Sequence, residues 1–153
     1  MAWEVSDIVL LDWPAILWSL AKIATAYALA LPIAWEREAN ARSAGLRTFP
    51  IVAMASCGYI LFATEIFVGS PDAQARLVAG LMTGIGFVGG GAILKDRGSV
   101  HGTATAASIW NTGAIGAAVA FDRYEIAIVL SVINYASLRF LAPLKSVVSG
   151  NED

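Results

Sequence analysis

Five long apolar stretches divide the chain, at about 13–34, 49–69, 75–94, 104–121 and 124–143, with short polar connectors between them. A helix needs about 20 mostly apolar residues to cross a hydrocarbon core of roughly 30 Å, so each stretch predicts a transmembrane helix. The expected fold is therefore all-α: a polytopic membrane bundle of five helices over 13–143, an outer segment at 1–12 and a short tail at 144–153. The fourth stretch is the shortest and is rich in alanine and glycine, which places it among neighbouring helices rather than against lipid. The connectors "EREANARSAGLRT", "SPDAQ", "KDRGSVHG" and "DR" carry the turn-forming and charged residues.

Composition agrees with this pattern. Of 153 residues, 58% are hydrophobic and 14% charged, against about half and a quarter in soluble domains. The formal net charge of −2 and the lack of a long basic run give no footing for nucleic acid. The opening "MAWEVSDIVLLDW" has no early Lys or Arg, so it lacks the basic start of a cleavable signal peptide. The single cysteine, Cys57, lies in an apolar run and reads as a small buried hydrophobe. Positive charge sets the orientation. If the connector after the first span is cytoplasmic, that side collects Arg37, Arg42, Arg47, Lys95, Arg97, Arg139 and Lys145, and the other keeps only Arg76 and Arg123. The expectation is a multi-pass membrane protein with its N-terminus outside and its C-terminus in the cytoplasm. Trp13 and Trp35 bracket the first span as interfacial aromatics would.

Polar residues inside the spans are the candidates for function. Lys22 and Glu65 both fall toward the outer side, and an intramembrane pair between them is one expectation; separate snorkelling to the interface is the other. In the fourth span Thr105, Ser108, Asn111 and Thr112 form a stripe at helical spacing, and Asn134 adds an amide in the fifth. Such a stripe either hydrogen-bonds between helices or lines a polar pathway or pocket.

The third span contains Gly84-Ile85-Gly86-Phe87-Val88-Gly89, the letters of a dinucleotide fingerprint. That fingerprint needs a preceding strand and an acidic residue about 20 positions on. Here the glycines sit within an apolar span, and His101, Thr103 and Thr105 stand where the acid is wanted. At about 100° per residue, Gly80, Gly84 and Gly91 share one helix face, while Gly86, Gly89 and Gly90 fall on roughly the opposite one. The expectation is a central helix clamped from both sides through close backbone approach. Glu36 and Glu38 flank Arg37 and do not share a helix face, which favours local salt bridges over a bound metal ion. One histidine excludes a multi-histidine site, and no nucleophile–base grouping supports an enzyme. No cofactor is expected.

Three blocks, "WEREANARSAGLRTFPIV", "GIGFVGGGAIL" and "VHGTATAASIWNTGAIG", resemble in order and spacing the signatures of the MgtC/SapB family of bacterial membrane proteins. The resemblance runs from about residue 28 to 140. It falls on Glu36, Arg37, Gly45, Leu46, Arg47 and Thr48, on Gly84, Gly86, Phe87 and Gly89, and on Gly102, Thr105, Ala106, Ala107, Trp110 and Gly116. It implies a protein of the bacterial cytoplasmic (inner) membrane, regulatory or adaptor in adaptation to low Mg²⁺ and in virulence-associated survival, with the F-type ATP synthase as a partner. The glycine faces of the third span add the expectation of a homo-oligomer, a dimer among the options, in the lipid bilayer. The alternative is a small oligomeric transporter or channel for Mg²⁺ or another small solute. Ala34, His101 and Asn111 depart from the usual pattern. Longer relatives carry a soluble C-terminal domain, so this sequence is expected to be a short form without it.

Overall fold

The structure, a computed structural model, describes residues 12–40, 44–96 and 99–149. Residues 1–11, expected to form the outer segment, Arg42, Arg97 and residues 150–153 lie outside that description. Five helices run up and down in chain order: α1 (Trp13–Asn40), α2 (Thr48–Ile66), α3 (Pro71–Gly91), α4 (Thr103–Ala120) and α5 (Tyr124–Ser149). All five lie where the apolar stretches predict them, and their ends follow local chemistry. Helix α1 continues through Pro32 and past residue 34, so the Glu-Arg-Glu of the first connector rides on its last turns. Helix α3 starts four residues early, because Ser70 stands at the N-cap, Pro71 at the first helical position and Asp72 in the first turn. Between α3 and α4 the chain forms a two-stranded antiparallel ribbon, β1 (Leu94–Asp96) and β2 (Ser99–His101), with Lys95 opposite Val100. The sequence shows only a connector there, since three-residue strands carry too few positions for an alternating pattern.

Helix α4 is the centre of the bundle. It packs against all four other helices, and Ile109, Ile115, Val119, Thr105 and Thr112 are buried within it. Two glycines make this possible. A Cβ at Gly116 would strike the Ala53 carbonyl oxygen of α2, and one at Gly113 would strike the Ile85 side chain of α3. Gly102 enters the helix at φ +87, and its Cβ would meet the Ala92 carbonyl, so only glycine turns the ribbon into α4 without strain.

The expectation that the third span is the clamped centre does not hold. In α3 only Ile85 and Gly89 are buried. Gly89 rests on α4, where a Cβ would come 3.1 Å from the Ala106 carbonyl oxygen, but Gly80, Gly84, Gly86, Gly90 and Gly91 have nothing within 4 Å of that position. Glycines at i, i+4 permit close approach, but they do not say which neighbour comes close.

By length and composition three helices, α1, α2 and α5, qualify as membrane spans among the described residues. Helix α4 carries no charged side chain, and its buried Thr105, Ser108, Thr112, Gly113 and Gly116 face other helices. The outside of the bundle is apolar, with Trp18, Phe62, Phe87, Val132, Ile133 and Phe140 exposed, as a lipid-facing surface requires. Trp13 and Trp35 are also exposed, roughly 33 Å apart along α1 at about 1.5 Å per residue, close to one hydrocarbon thickness.

Candidate functional site

At one end of the bundle the last turns of α1 meet the connector into α2. Glu36 points inward and is nearly buried, and its carboxylate lies 3.8 Å from Arg139 of α5. Two positions on, Glu38 points toward the connector and accepts a hydrogen bond from the Leu46 backbone N–H at 2.9 Å. Gly45 is pressed against that carboxylate, and any Cβ there would displace it. The Gly45 carbonyl then accepts from the Thr48 N–H at 3.0 Å, opening α2, with Arg47 exposed just before it. Glu36, Arg37, Gly45, Arg47 and Thr48 are thus brought to one end. The two carboxylates face different partners, and among the described residues no group of three or more His, Cys, Asp or Glu is placed to hold a metal ion.

Two side chains of the stripe on α4, Ser108 and Asn111, bond to α5. Ser108 donates to Asn134 Oδ1 at 3.0 Å, Asn111 donates its amide to the Leu130 carbonyl at 3.3 Å, and Thr112 donates back to the Ser108 carbonyl at 2.7 Å. Thr105, Ser108 and Thr112 are buried, and Asn111 is half-buried. Ser131, which the sequence reading passes over, donates to the Leu29 carbonyl at 2.6 Å and ties α5 to α1. Its signal is a lone hydroxyl in the apolar run "IAIVLSVIN".

Where the stripe approaches the arginine end, a cleft of about 420 Å³ opens between α1, α4 and α5. Arg37, Ser108, Asn134 and Ser137 supply its polar wall. Two donors in it, Arg37 Nε and Asn134 Nδ2, are buried with no hydrogen-bond partner. An N–H buried without an acceptor costs about 1–3 kcal/mol, so the pair calls for an explanation. Ser137 and Leu138 follow Asn134 by three and four positions, and helical spacing from that asparagine is the signal that finds them.

At the opposite end Lys22 is buried, and its ammonium donates to the Ala120 carbonyl at 3.1 Å and to Asp122 Oδ2 at 2.9 Å. It also lies 5.5 Å from the centre of the Trp18 ring. The expected pair with Glu65 is therefore replaced: α1 packs against α2 as well as α4 and α5, but Glu65 is exposed on α2 and Lys22 faces the junction of α4 and α5, which carries Asp122. Asp122 takes a left-handed backbone (φ 58) just beyond α4, with its N–H bonded to the Val119 carbonyl and that of Arg123 to Ala118. This is the cap in which glycine usually stands; here the aspartate adds a charge that meets Lys22. The hydrogen bond from Lys22 holds the Asp122 carboxyl below its ordinary value.

Residues 23–147 match the MgtC family. The chain is 32% identical over 136 residues to "Protein MgtC" of Brucella abortus (strain 2308), covering 89% of this chain and 56% of that one. To "Protein MgtC" of Salmonella typhimurium (strain LT2) it is 35% identical over 98 residues, 64% of this chain and 41% of that one. The chain spans about half the length of the curated relatives it matches. No solved structure matches it.

Proposed function

The chain belongs to the MgtC family, and from that premise we propose that it is a multi-pass protein of the bacterial inner membrane that acts through contacts with other membrane proteins in adaptation to low Mg²⁺. In this reading all five helices cross the bilayer, the arginine end faces the cytoplasm, and α3 offers its open glycine faces to a second copy or to a partner. The F-type ATP synthase is the partner that the family resemblance implies.

The observation that carries the reading is the engagement of the polar stripe. Ser108, Asn111 and Thr112, the side chains a solute pathway through α4 would need, donate to groups of α4 and α5. A solute moving along them would have to break the Ser108 and Asn111 bonds that join α4 to α5. Purified protein in liposomes loaded with a Mg²⁺ indicator tests this. The expected uptake equals that of empty liposomes; uptake above it, abolished by Asn111→Leu, would replace contact with transport. Co-reconstitution with an F-type ATP synthase tests the partner: ATP-driven proton uptake is expected to fall in its presence, and unchanged uptake would remove that enzyme as the target.

A further inference from the structure

We propose that the cleft between the end of α1, the start of α4 and the latter half of α5 is a binding site for a phosphate group, the phosphodiester of an anionic phospholipid being the source its shape favours. This does not depend on the contact function proposed above. Three features converge on the cleft. The first is the pair of buried, unpartnered donors, Arg37 Nε and Asn134 Nδ2, on different helices but on one cavity wall. Both are N–H groups, so what they lack is an acceptor.

The second is the amino end of α4. No side chain caps it, because the N-cap is Gly102, and Ala104 of its first turn lines the cleft. The first N–H groups of a helix have no intrahelical acceptor and carry the positive end of its dipole, which favours an anion. The third is charge. Two guanidiniums, Arg37 and Arg139, stand near one carboxylate, Glu36, which lies 3.8 Å from Arg139 and also acts on the charge of Arg37. Glu38 keeps its charge but is turned away to the connector, where it receives the Leu46 N–H. Next to the cleft, among the described residues, two guanidiniums therefore stand beside one carboxylate.

The remaining wall distinguishes the source. Ala107, Leu138 and Leu141 line the cleft beside the donors, and Ala107 and Leu141 are exposed on the outer surface of the bundle. A headgroup phosphate at Arg37 and Asn134 would leave its acyl chain along these apolar side chains, whereas soluble phosphate uses only the polar half. Guanidinium and amide donors at different angles suit the several acceptor oxygens of a phosphate.

The test uses the full chain, freed of lipid in a neutral detergent, in calorimetric titrations with short-chain phosphatidylglycerol, short-chain phosphatidylcholine and inorganic phosphate. Saturable binding of phosphatidylglycerol, well above that of phosphatidylcholine, is expected. Arg37→Gln and Asn134→Leu should each weaken it by about tenfold. Arg47→Gln, which removes an exposed charge at the same end, should change it by less than about twofold. Inorganic phosphate binding that is lost in Arg37→Gln would assign the site to a soluble phosphate instead. Equal binding of the two lipids, or equal loss in Arg47→Gln, would reduce the cleft to an acyl groove or a general basic surface and overturn the proposal. If Arg37→Gln does not elute as a single species, the Asn134→Leu protein decides: folded and binding like the parent, it overturns the site.

Discussion

Lys22 is a cation set two and a half turns into an apolar helix, and its surroundings show what such a residue needs. Its ammonium closes the carboxyl end of α4 at Ala120, where carbonyls lack intrahelical partners and the dipole is negative, and it meets Asp122 just beyond. Lys22→Met should leave the Ala120 carbonyl without this donor, at about 1–3 kcal/mol, read as a lower melting temperature in detergent; an unchanged melt would reduce the contact to an incidental one. Asp122 also gives the bundle a pH dependence. Its carboxyl is held below its ordinary value in the folded protein by Lys22. The associated stability is therefore present above the unfolded carboxylate value and is lost as the pH falls through the lower, folded one. Melting temperature should drop in that acid window for the parent, and the drop should be smaller for Asp122→Asn. The sequence supplies the fact that Lys22 needs a partner and, through the lean of helical side chains, the end at which to find it. It does not supply Asp122, because that choice depends on which helices stand beside α1.

Among the elements, α3 and α4 divide the glycines into two kinds. Gly116 and Gly113 of α4 lie where a Cβ would strike α2 or α3, while Gly84 and Gly86 of α3 face open space. Substituting Gly116→Leu should separate α4 from the Ala53 backbone and cost about 1–3 kcal/mol or more, since backbone cannot move aside as a side chain can. Gly84→Leu and Gly86→Leu should leave the melting temperature of the isolated chain nearly unchanged. The two lie on roughly opposite faces of α3, so the one on the face through which the proposed oligomer forms should lower the mass measured in detergent. A parent-like mass in both would remove α3 as the contact between copies. The helices themselves were legible from apolar length and from end signals such as Ser70-Pro71-Asp72. The order of burial was not, because glycine-rich and alanine-rich segments look alike whether the neighbour is present or absent. The clue to α4 was there in another form: the stretch with the most hydroxyl and amide side chains, Thr105, Ser108, Asn111 and Thr112, gains most from facing other helices.

On the scale of the whole molecule, the two ends are chemically different. One carries the Glu36–Arg139 pair, the Glu38-held connector and the cleft with its free donors; the other carries the Lys22–Asp122 cap. The proposed orientation is open to direct test, because Cys57 is fully buried and should not react with a membrane-impermeant thiol reagent. A cysteine at Asp72 is expected to label from outside intact cells and one at Ser99 only after the membrane is opened; the reverse pattern would invert the topology.

Local, additive properties were settled by the sequence alone: five apolar lengths, their punctuation, the asymmetry of basic residues and three ordered blocks that mark the MgtC family. Each of these is a property of residues near one another in the chain, and hydrophobic transfer and capping act on such neighbours directly. Only the tertiary structure decided which helix is central, that Lys22 meets Asp122 across 100 positions, and that Arg37 and Asn134 turn unpartnered donors into one cleft. Those outcomes depend on how helices of similar composition are arranged side by side. Packing chooses that arrangement through contacts at single residues, such as the Ala53 carbonyl against Gly116, that no periodicity in the chain records.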